Sequence, residues 1–193
     1  MPNYNLKENI IKTFDKLLRT HSIDEIDVQL ICDTLKIKRQ SFYYHFNNVY
    51  ELVSVIYEYE PIEVKPDLQI DGIIKEGVSI LYKNLERNLE IANSSCEDII
   101  KDYLFAYFYM SFAGFFEKMQ LKVDAKNEAS RIISNSILDE LLYLFKLNSY
   151  SENDLFEKLN MVFNEKYLEY FISIFKGSNS NWAKMFYSNC HLY

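Results

Sequence analysis

Between Lys38 and Phe46 the chain reads KRQSFYYHF, and its side chains there are hydrogen-bond donors and acceptors, with no nucleophile paired to a base. Lys38, Arg39, Gln40, Ser41, Tyr43, Tyr44 and His45 are the types that meet phosphate oxygens and base edges. Phe42 and Phe46, four apart, make a one-turn apolar ridge on the other side. A short helix of this kind can lie in a DNA major groove. Gln29 before it and Asn48 after it are further polar candidates for the same surface.

A second concentration of chemistry lies in Tyr103 to Phe116, YLFAYFYMSFAGFF. Pockets for small molecules are apolar with a few polar groups. Tyr103, Tyr107, Tyr109 and Ser111 would supply those groups beside Phe108 and Phe112, with an unidentified small-molecule effector as the occupant; plain core packing explains the same pattern. Cys190 and His191 with Cys96 lack the spacing of a metal knuckle, so neither a metal nor another cofactor is expected. There is no Gly-rich phosphate loop, and three scattered His form no triad, which argues against an enzyme.

The elements that must position these groups are all helical. Asp27 is placed to cap a helix whose stripe is Val28, Ile31, Cys32 and Leu35; the pattern breaks at Lys36 to Lys38 and resumes with Phe42. That is helix, turn, helix. Ahead of it, Asn5 and Glu8 resemble a capping box opening a helix to about Thr20, with Leu6, Ile10, Phe14 and Leu17 inward, and Arg19 and His21 near its negative pole. Behind it, a helix from about Asn48 buries Val49, Leu52, Val53 and Ile56 and must stop before Pro61. Residues 61–66 then divide a domain 1–60 from a domain 61–193.

In the second part, Ile70, Ile74, Val78, Leu81, Leu85 and Leu89 mark one long helix ending near Asn93. Ser95 with Asp98 opens the aromatic helix, which is apolar nearly all round and therefore central. Asp124 caps the next, with Ala129, Ile132, Ile133, Ile137, Leu141, Leu144 and Phe145 on one face. Ser151 with Asp154 starts a last long helix reaching Phe175. These two final stripes are broader than one neighbour covers, which predicts a four-helix homodimer interface. The tail 178–193 fits no pattern.

The chain has 193 residues, 49% of them hydrophobic and 25% charged, enough for a sizeable core and outside the disordered classes. Its formal charge of −7 is uneven: residues 1–50 hold seven Lys and Arg against six acids, a net of +1, leaving −8 for the remainder. The acidity thus sits away from the proposed DNA face. Three widely spaced Cys and no basic-then-apolar leader point to the cytoplasm. The 14-residue apolar run spans roughly 21 Å at about 1.5 Å per residue, too short to cross a membrane.

Leu35 to Phe46, LKIKRQSFYYHF, with Tyr50 and Leu52 beyond, resembles the helix-turn-helix of the tetracycline-repressor (TetR) family of bacterial transcription regulators, nearest the branch containing the dihydroxyacetone-kinase operon regulator. The resemblance covers about the first sixty residues. It implies an all-α chain, an N-terminal three-helix head bearing the helix-turn-helix and a C-terminal helical ligand-binding and dimerisation domain. It also implies an effector-responsive homodimer on a double-stranded, inverted-repeat operator. In such a protein Tyr43 would lie on the DNA backbone. Three positions depart from the family's pattern: Lys36 stands where Gly is usual, Val49 where a phosphate-binding Lys is usual, and Phe14 where Ala is usual. That backbone anchor is then missing or moved to Asn47 or Asn48. An alternative keeps the fold but has the C-terminal face act mainly through a protein partner.

Overall fold

Apolar residues three and four apart run through nearly the whole chain, and helix is the only regular structure among the described residues, as expected. The computed structural model describes residues 4–65, 68–119 and 121–177; the tail 178–193, with Cys190 and His191, lies outside them.

Helix α1 (Tyr4–Leu17) buries Ile10, Ile11 and Phe14 and packs on α2 (Val28–Leu35) and α4 (Glu51–Glu58), while α2 in turn holds the five-residue α3 (Arg39–Tyr43). Asp27 does start α2: its carboxylate accepts from the Leu30 N–H at 2.7 Å. Lys36 ends the helix at φ 55° and ψ 44°, the left-handed conformation usually left to Gly. That costs roughly 1 kcal/mol. The turn offsets it by satisfying helix-end carbonyls, with Ile37 N–H donating to Cys32 O at 2.9 Å and Lys36 N–H to Asp33 O at 3.3 Å. Cys32 is buried, and desolvation raises its thiol pKa, so it is an inert packing residue.

Several boundaries differ from the expectation. Asn5 lies inside α1, and α1 ends at Leu17, after which Arg19 turns to Asp15 and Asn84. Helix α4 begins at Glu51, so Val49 is buried in the turn before it. The single helix expected from Ile70 to Leu89 is two, α5 (Ile70–Tyr82) and α6 (Leu85–Ala92), bent at Asn84. The bend rotates α6. Leu85 and Leu89 become half-buried, while Arg87 and Asn88 turn fully inward, and the Asn88 amide donates to Ile80 O and Leu81 O at the end of α5.

Helix α7 (Glu97–Lys118) is central as expected, touching α4, α5, α6 and α8 (Val123–Lys146). Ser95 does not cap it; Ser94 Oγ closes the preceding turn by donating to Ile91 O and accepting from Cys96 N–H. Asp124 lies within the first turn of α8 rather than at its cap. The Ser151 and Asp154 box is present and opens α9 (Glu152–Val162), with Ser151 Oγ accepting from Asp154 N–H at 3.2 Å. That helix stops early. Asn164 accepts from Tyr167 N–H and starts a separate helix, α10 (Glu165–Gly177).

The stripe Ile133, Ile137, Leu141 and Phe145 is covered within the chain, as are Leu155, Leu159 and Phe171. The breadth of the stripes therefore does not call for a second copy. What remains outside is a scatter of large apolar groups: Tyr143 and Leu147 on or beside α8, Met161 and Val162 on α9, and Tyr170 and Ile174 on α10. Among the described residues no helix is long and apolar enough to cross a membrane.

Candidate nucleic-acid interface

Five residues cannot sustain a helix unaided, since nucleation alone is unfavourable. Helix α3 is held from one side by Phe42 and Phe46, 0% and 2% exposed, whose rings lie 5.8 Å apart. Fixing those two inward fixes everything else outward. Lys38, Arg39 and Gln40 are exposed, Ser41 and His45 half-exposed, and Tyr43 and Tyr44 project at 55% and 75% exposure.

The face is partly pre-arranged. Arg39 Nε donates to Gln29 Oε1 at 2.6 Å, and Gln29 Nε2 donates to Asp33 Oδ1 at 2.6 Å, so α2 steadies the first residue of α3. A held guanidinium loses less rotamer freedom on meeting a base edge or phosphate than a free one. Tyr43 stands edge-on to Phe42 with centroids 5.6 Å apart, and Tyr44 edge-on to His45 at 4.9 Å. Lys7 of α1 lies 5.8 Å from the Phe46 ring, bringing a further cation to the far end of the motif, which spacing within the motif gave no means to see.

Asn47 and Asn48 have work inside the fold. Asn48 Oδ1 accepts from Glu51 N–H at 2.9 Å, while Glu51 accepts from Asn47 N–H at 2.8 Å and from its side-chain amide at 3.1 Å. They build the entrance to α4. Val49, 7% exposed, points into the core and offers no phosphate contact.

The six residues read as a ligand pocket are not gathered together. At about 100° per helical residue they spread around α7. Tyr103 and Tyr107, one turn apart, line a cavity of about 390 Å³ between the end of α4, residues 61–63, α5 and α7. Phe108 instead lies against Gly77 of α5, so close that even a methyl group there would collide with the ring. Phe112 stacks on Phe116, Tyr109 on Phe105, and Ser111 is buried. Because the helix is apolar nearly all round, its sequence did not distinguish these faces. Among the described residues no group of three or more His, Cys, Asp or Glu is placed to hold a metal ion.

One polar cluster went unseen in the sequence. Arg87 of α6, 1% exposed, donates to both oxygens of Glu60 at 2.8 and 2.9 Å and to Asp15 at 3.0 Å, with the Tyr57 ring 5.3 Å from its guanidinium carbon. Paired acids stabilise the charged form and raise its pKa against the opposing cost of desolvation. Around it Tyr57 donates to Asn88, Arg19 to Asn84, and Ile23 N–H to Glu90. Thus α1, the 3-10 turn Ile23–Glu25 and the end of α4 are all fastened to α6 or the bend before it. The only sequence signal was an Arg-Asn pair inside an apolar stripe.

No protein-family model matches the chain. A stretch of 69 residues is 38% identical to the HTH-type dhaKLM operon transcriptional activator DhaS of Lactococcus lactis subsp. lactis (strain IL1403), covering 33% of this chain and 37% of that protein. The chain spans little more than a third of the length of this relative.

Proposed function

We propose that the chain is a DNA-binding transcription regulator of the TetR type, acting in the cytoplasm. The observation that carries this is the inside-outside division of α3: two Phe locked into the core and Lys38, Arg39, Gln40, Tyr43 and Tyr44 outward, on a helix steadied by α2. Similarity to a transcriptional activator supports the same reading. In it, residues 1–60 are the reading head and residues 61–193 the regulatory and dimerisation part. The outward apolar groups from Tyr143 to Ile174 join two copies, and two heads engage the halves of an inverted repeat. A small-molecule effector favouring one arrangement of the long helices would then change the spacing of the heads.

The same outward groups on α9 and α10 support a second reading, in which the partner on that face is a different protein. An effect of small molecules on DNA affinity discriminates between the two.

The test is to select duplexes from a random pool with the full chain, then titrate the selected operator by fluorescence anisotropy. We expect Arg39→Ala to weaken binding by roughly 1 to 3 kcal/mol and Tyr43→Phe to weaken it less, both with unchanged melting temperature. Affinity should fall steeply with salt. Parental affinity in both variants would move the reading surface away from α3 and sink this assignment.

A further inference from the structure

The cavity of about 390 Å³ beside α7 lies within the size range of small-molecule sites. Its walls meet the Arg87 cluster at Glu60, which follows α4; Glu63 comes from the connection, Glu76 and Lys83 from α5 and its end, and Tyr103 and Tyr107 from α7. The phenol hydrogens on those walls are already committed. Tyr103, half-buried, donates its O–H to Glu60 O at 2.9 Å, so toward the cavity it has only lone pairs left; Tyr107, 1% exposed, donates to Ile73 O at 3.1 Å and adds mainly its ring to the wall. Burial keeps both phenols in their neutral form.

Three carboxylates add to this surplus of acceptors. Glu60 is engaged by Arg87, and Glu76 by Lys65 in a solvent-exposed pair that salt screens. Glu63 has no ion-pair partner among the described residues. Against these acceptors the lining sets one ammonium, Lys83, and the Ser79 hydroxyl. A ligand seated at the unpaired Glu63 and the acceptor oxygens beside it is favoured by donors and positive charge.

We propose that this cavity binds a small aliphatic amine as its ammonium ion, held by Glu63 and Glu76 with the phenol oxygen of Tyr103 as a further acceptor. The occupant also meets Glu60, the carboxylate that fastens the end of α4 to Arg87. An amine drawing on Glu60 weakens its hold on Arg87 and so reaches the reading head. This last step rests on the regulator reading given above; the binding step does not.

The test uses three four-carbon probes, n-butylammonium, 1-butanol and butyrate, titrated calorimetrically into the full chain. Saturable binding of butylammonium alone is expected, with a dissociation constant at least tenfold weaker in Glu63→Gln, whose exposed position leaves folding unchanged. Equal binding of 1-butanol would show that charge is irrelevant, binding of butyrate would mean that Lys83 governs the site, and no binding of any probe would mean no site; each overturns the proposal. A parallel anisotropy titration on the selected operator separates the two ideas. If butylammonium binds, loses affinity in Glu63→Gln, and leaves operator affinity untouched, the amine site stands and the effector role falls. Loss of operator binding in general, with amine binding intact, removes the regulator reading alone.

Discussion

Phe42→Ala should lower the stability of the chain by about 3 to 5 kcal/mol, the usual cost of truncating a buried Phe, and abolish operator binding with it. The ring is fully buried, touches Tyr43 edge-on and Phe46 at 5.8 Å, and belongs to the one buried residue of a five-residue helix. Few replacements for those contacts exist within so short a segment. Tyr44→Ala, at a side chain 75% exposed, should stay within about 0.5 kcal/mol of the parent. Chemical denaturation of both variants beside the parent decides the matter. A Phe42→Ala protein as stable as the parent would mean that α3 is not seated as described.

Arg87→Met should cost about 3 kcal/mol, the lower end of what breaking a buried ion pair costs. The low end applies because Asp15 and Glu60 keep 25% and 32% of their side-chain exposure and can regain water when the guanidinium is gone. Adding Glu60→Gln removes one of the stranded charges, so the double variant Arg87→Met, Glu60→Gln should recover part of the loss. That recovery distinguishes a charge effect from simple loss of packing. If the double variant is less stable than the single by the full cost of Glu60→Gln alone, Arg87 and Glu60 are not coupled in solution.

Where the sequence was informative, one local cause determined the outcome. Asp27 and the Ser151 and Asp154 box are positions whose own backbone demands a cap, and each was readable from its neighbours, whereas the left-handed turn at Lys36 was signalled by the resemblance, which puts Gly there. Phe42 and Phe46 were readable as inward because polar groups fill the positions around them. The misjudged helices broke at asparagines, one held by partners distant in sequence and one acting on its own next turn. Leu81, Leu85 and Leu89 continue one stripe, yet the chain bends at Asn84, whose side chain donates to Glu60 and accepts from Arg19. A second Asn, at 164, interrupts the stripe from Leu159 to Leu168 by capping the start of α10. On α7 the difficulty was the reverse: periodicity gives no face when nearly every residue is apolar, so Tyr107 at a cavity wall and Phe108 against Gly77 looked alike.

The Arg87 cluster also bears on rates. Its carboxylate partners lie 27 and 72 residues back along the chain. Contacts that close such long loops form only after the segments between them are largely ordered, because the entropy of closure precedes the reward. The cluster then belongs to the late side of the folding barrier, and its bonds must break early when the protein opens. Losing Arg87 should accordingly speed unfolding and leave the folding rate almost unchanged, which stopped-flow measurements on Arg87→Met can read from the two limbs of the denaturant dependence. A slowed folding limb would instead place this buried guanidinium among the contacts around which the chain first organises.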